Sequence, residues 1–126
     1  MKTLSFMFLA ICFLNFSCSK QENNLAKTCF KGRYVGEGCW SVIQIIEPLD
    51  ARFNVSKWVD RDSIYEHSVG VGPLPDKYKN GAPFYFTISS IDSNQITTAY
   101  CSIPKYSIGL NFYSDSACQT LDQNNQ

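Results

Sequence analysis

The sequence is poor in the residues that most chemistry needs. It has one histidine, His67, so neither a histidine metal cluster nor a His-His relay is available. No cysteine pair has the C-x-x-C spacing of zinc sites or redox centres, which argues against metal binding. Charge of one sign is also lacking: 11 basic residues balance 11 acidic ones. There is no basic stripe, which argues against a nucleic-acid partner and against electrostatic attachment to anionic lipid. Beyond residue 17 no apolar run approaches the roughly 20 residues of a membrane-spanning helix. There is no internal repeat, and no convincing 3.6-residue periodicity outside the amino terminus.

The amino terminus is the most informative stretch. Lys2 supplies a short positive region, Leu4 to Phe16 is almost unbroken apolar sequence, and the chain turns polar at Ser19-Lys20-Gln21-Glu22. This is the form of an export signal, read as a signal-peptide helix over 1–17. The small residue before Cys18 makes Ser17-Cys18 resemble the lipobox of bacterial lipoproteins. That resemblance implies cleavage before Cys18, a lipid on its sulfur, and a polar tether over 18–27. Ser19 in second place implies the outer membrane. Lys20-Gln21-Glu22 resembles the tag of surface-exposed lipoproteins of Bacteroidetes. The other reading is an ordinary secretory leader cut near Ser17 or Ser19, with Cys18 a plain thiol.

With Cys12 in the leader and Cys18 a lipid site, Cys29, Cys39, Cys101 and Cys118 remain, an even number in an oxidising compartment. Two structural disulfides are expected. Cys39–Cys101 with Cys29–Cys118 is preferred, since the outer pair would tie the start of the domain to its end. Cys29–Cys39 with Cys101–Cys118 stays open.

The remainder reads as one small domain over 28–121, followed by a disordered tail over 122–126. Six strands are predicted: Cys29 to Val35, Trp40 to Ile46, Ile64 to Val71, Phe84 to Ile91, Ile96 to Ile103 and Tyr106 to Tyr113. Trp40 to Ile46 reads as the most buried. In the alternating runs Phe84, Phe86, Ile88, Ile108, Leu110 and Phe112 point inward, and Tyr85, Thr87 and Ser89 outward. Asp50 to Asp62 reads as an ordered excursion. Asp76 is placed to cap a helical turn before the reversal at Asn80-Gly81. The expected fold is all-β, a small antiparallel barrel of five to six strands, because closure removes edge strands. The order of Cys39-Trp40-Ser41-Val42-Ile43-Gln44, Leu74-Pro75, Phe84-Tyr85-Phe86, Cys101, Pro104 and Ile108-Gly109-Leu110 resembles a group of small Bacteroidetes lipoproteins. That resemblance implies an OB-like barrel and brings no activity.

Catalytic candidates are thin. His67 has no partner in any nucleophile motif, Asp60-Arg61-Asp62 lacks the other ligands of a calcium loop, and Gly70-Val71-Gly72 is not followed by a phosphate-binding helix. The chain is therefore expected not to be an enzyme and to need no cofactor. Its abundant aromatics point elsewhere. Tyr85, Tyr100 and Tyr113, outward on neighbouring strands, would form a stacking face with Trp58 as a further contact, suited to an envelope glycan or protein. The expected role is a lipid-anchored, non-catalytic envelope component. The alternative is an inhibitor of a lysozyme-like hydrolase, acting through a loop at 71–80 or 50–62.

Overall fold

Apolar and polar residues alternate over 84–89 and 106–113 and favour strands there in the protein, whose computed structural model describes residues 25–94 and 102–124. The elements are β1 (Phe30–Glu37), β2 (Ser41–Glu47), a 3-10 turn (Ala51–Val55), β3 (Lys57–Asp60), β4 (Ser63–Glu66), β5 (Ser68–Val71), a second 3-10 turn (Asp76–Tyr78), β6 (Phe84–Ser93), β7 (Tyr106–Tyr113) and α1 (Asp115–Asn124). Five strands close into a barrel in the order β1-β2-β5-β7-β6, and among the described residues β3 pairs with β4 alone. The barrel is mixed rather than purely antiparallel, because β5 runs parallel to β7. Counting barrel strands alone, the third lies beside the fifth and the fourth closes on the first. This is the Greek-key connectivity of an OB-like barrel.

The inward residues of β6 and β7 behave as their alternation predicts. Phe84, Phe86, Ile88 and Ile108 are buried, with Leu110 and Phe112 packed against them. Ile43, Ile45, Val69 and Val71 fill the opposite wall, and the ring of Phe30 stacks on Phe86 at 5.8 Å. Close approach across this core needs Gly32, where a Cβ would lie 2.8 Å from the Phe86 ring. Phe53 enters the core from the first 3-10 turn and meets Tyr106 edge-on at 6.3 Å. That turn is capped by Asp50, whose Oδ1 accepts from the Arg52 backbone N–H at 2.9 Å. The Arg52 guanidinium, bonded to the same carboxylate, holds Asp50 below the usual carboxylate range.

Several expectations are corrected. The run Ile64 to Val71 is two strands, because His67 takes a left-handed φ of 54° and swings the chain from the β3–β4 hairpin into the barrel. The excursion after Asp50 contributes a strand, β3. Trp40 lies outside β2 and is 47% exposed. Thr87 is outward as expected, opposite exposed Asn111, but is buried rather than exposed. Leu25, assigned to the tether, is buried in the core, and its carbonyl accepts from the Ile88 N–H at 3.3 Å. The second 3-10 turn has Pro75, not Asp76, at its N-cap. The carboxyl terminus, expected to be a disordered tail from 122, is helical through Asn124. Ser114 explains that start: its Oγ accepts from the Ala117 N–H at 3.2 Å. Of the strand expected over Ile96 to Ile103, residues 96–101 lie outside the described residues, and Ser102 and Ile103 are not in a strand. The expected signal peptide, Cys18 and Tyr100 also lie outside them.

Candidate functional site

Strand register assembles the site. Lys31 on β1 is the partner of Glu47 on β2 and also of Tyr85 on β6, and Tyr85 is in turn the partner of Tyr113 on β7. Since side chains directly opposite on paired strands share a face, Glu47, Lys31, Tyr85 and Tyr113 form one row across four strands on the outside of the barrel. Lys31 Nζ lies 3.9 Å from Glu47 Oε1. Tyr113 is 37% exposed and Tyr85 is half-buried.

Tyr85 and the α1 residues Asp115, Gln119 and Asp122 line a common cleft. Between the helix and the Glu47, Lys31 and Tyr85 part of the row lies this cleft, of about 520 Å³, whose helical wall carries Asp115, Gln119 and Asp122. The disulfide Cys29–Cys118 fixes that wall, with the two Cα atoms 5.6 Å apart. The Cys29 N–H reaches Asp122 Oδ1 at 3.5 Å. The expected outer pairing is thus present. Cys39 is disulfide-bonded as well, and its expected partner, Cys101, lies outside the described residues.

Of the four predicted contact residues, Tyr85 and Tyr113 come together, whereas Trp58 does not join them. Trp58 is 3% exposed; its indole N–H donates to Ser102 Oγ at 3.0 Å and its ring stacks on Tyr65 at 5.7 Å. A Cβ on Gly36 would lie 2.5 Å from the same ring, so this glycine makes room for it. Trp58 is a packing residue that seats β3 against the barrel. Lys31, Glu47, Asp115, Gln119 and Asp122 were invisible as site residues, because only strand register and the helix bring them to the tyrosines.

The structure does not bring the catalytic candidates together with the tyrosine row. His67 pairs its Nε2 with Asn54 Oδ1 at 3.0 Å, and its carbonyl accepts from the Ile45 N–H. Asp60 ends β3, and Asp62 lies with Arg61 in the exposed β3–β4 turn. Among the described residues no group of three or more His, Cys, Asp or Glu side chains has a geometry that would hold a metal ion.

A second charged cluster ties the loop 72–83 to the barrel. Lys79 Nζ at 2.9 Å, Ser41 Oγ at 2.9 Å and Tyr34 Oη at 3.2 Å all donate to Glu37 Oε1. The Lys79 ammonium holds the Glu37 carboxyl below its usual range, while burial and then the Glu37 charge push the Tyr34 phenol up. Tyr78 from the same loop stacks on Phe112 at 4.0 Å.

No family model matches the chain, and no curated protein or solved structure is significantly similar to it.

Proposed function

We propose that this is a lipid-anchored envelope protein, attached through Cys18, whose barrel makes a non-catalytic contact with an envelope saccharide. The observation that carries the binding half of this reading is the row Glu47, Lys31, Tyr85 and Tyr113 beside the α1 cleft. Tyr85 and Tyr113, directly opposite on neighbouring strands, present aromatic faces and hydroxyl groups on one side of the sheet, suited to a sugar ring. Lys31, Glu47 and the Gln119 amide supply donors and acceptors of either sign around it. The near-zero net charge fits a neutral or mixed-charge partner better than a polyanion. The anchoring half rests on the leader and the lipobox-like Ser17-Cys18.

The test is sedimentation of the full-length protein with isolated, protein-free envelope polysaccharide. Y85A/Y113A should lose at least about tenfold in retention while keeping its circular dichroism. Unchanged retention would overturn the site. C18A should move to the soluble fraction of cells, and unchanged membrane partitioning would overturn the anchor.

A second reading, inhibition of a lysozyme-like hydrolase, draws on the loop 72–83. Its two attachments, Lys79 to Glu37 and Tyr78 to Phe112, hold it in one shape. An ordered loop entering an enzyme cleft loses little entropy on binding. Slowed turnover of a lysozyme by the wild type, abolished by K79A, would favour it over the saccharide contact.

A further inference from the structure

The β3–β4 hairpin forms a two-stranded sheet of its own, outside the barrel. Its inner side carries the stacked partners Trp58 and Tyr65. Alternation turns Lys57, Val59, Ile64 and Glu66 to the outer side. Val59 and Ile64 are direct cross-strand partners, 52% and 64% exposed. Lys57 and Glu66 are direct partners too, and the ion pairs found among the described residues include neither. The face therefore holds an exposed apolar pair beside two opposite charges not engaged with each other or with another charged group.

We infer that this face docks a second copy of the same chain, hairpin on hairpin. A two-fold axis parallel to the strands, between β3 and β4, lays β3 of one copy over β4 of the other. Lys57 then meets the partner's Glu66, and Val59 meets the partner's Ile64, each contact occurring twice. The order of charge and apolar pair along the hairpin is self-complementary under this one operation, which makes a second copy the fitting occupant. The contact is small. With four outward side chains per copy it lies at the weak, transient end of specific interfaces, with Kd on the order of 10–1,000 µM.

Charge exchange tests this directly. Sedimentation equilibrium of the full-length chain, in density-matched detergent, should show a concentration-dependent monomer–dimer equilibrium. K57E and E66K should each associate at least about tenfold more weakly, because each sets like charges against each other in the homodimer. An equimolar mixture of the two restores opposite charges at both contacts and should dimerise like the wild type. A hairpin merely damaged by the substitutions would not recover on mixing. Near-ultraviolet circular dichroism of the Trp58–Tyr65 stack checks that each variant keeps its hairpin. V59T/I64T, which removes the apolar contact and leaves the charges, should also weaken association. A wild type monomeric up to about 1 mM would overturn the inference, since even a weak interface is then absent. So would a mixture no more associated than its components.

Discussion

Cys118 is the one buried residue of α1, and it is bonded to Cys29, 89 positions earlier, just before β1. Apart from half-buried Leu121, the helix exposes every other side chain. Its attachment to the barrel thus rests largely on one covalent bond. C29A/C118A is expected to lower stability by about 2–5 kcal/mol, as for other long-loop disulfides. Hydrogen exchange should show α1 amides losing protection first, with β6 and β7 still protected under native conditions. Equal loss across all three would contradict this division.

Trp58 gives the second prediction. A fully packed indole with a hydrogen bond to Ser102 costs about 3–5 kcal/mol when cut to alanine. W58A should show that loss in urea denaturation. W58F, which keeps a ring against Gly36, should lose less. A surface contact residue would leave the urea midpoint unmoved.

Ser56 is the third. Its fully buried hydroxyl donates to the Ser68 carbonyl at 2.6 Å and accepts from the Tyr106 N–H at 3.2 Å, linking the β3 side of the chain to β5 and β7. S56A leaves the Tyr106 N–H without this acceptor and is expected to cost about 1–3 kcal/mol by urea denaturation.

The Glu37–Lys79 pair predicts a pH dependence. Glu37 is depressed in the folded state, so its contribution is present above the unfolded carboxylate value, near pH 4.3, and is lost as pH falls through the lower folded value. Lys79 is raised, so its part is present below its unfolded value and is lost as pH rises through the folded one. The difference in Tm between the wild type and E37Q should therefore be constant near neutrality and shrink at strongly acid pH. Both side chains are substantially exposed, so the difference should be small and should fall with added salt.

The parts of the fold legible in the sequence were those with a strict period of two. Tyr106 to Tyr113 alternates cleanly and is a strand with those bounds. Ile64 to Val71 alternates just as cleanly, yet the chain breaks at His67 in a left-handed conformation that no glycine or proline announces. β3 is only four residues long, too short for a period to register. α1 escaped notice because it buries one cysteine and so needs no apolar stripe. At the site, Tyr85 and Tyr113 could be placed outward by parity, but their neighbours Lys31 and Glu47 depend on register, and the helical wall depends on the disulfide. Trp58 was misread because a tryptophan among charged residues looks exposed until its partners Tyr65, Gly36 and Ser102 are known.

The central claim is a disulfide-clasped barrel carried to the envelope on a lipid. Intact-mass and peptide-mapping mass spectrometry of the protein from the cell that makes it tests this most directly. The account predicts a mature chain that begins at an acylated Cys18, with Cys29 linked to Cys118 and Cys39 to Cys101. An amino terminus at Met1, or free thiols at those four cysteines, would contradict it.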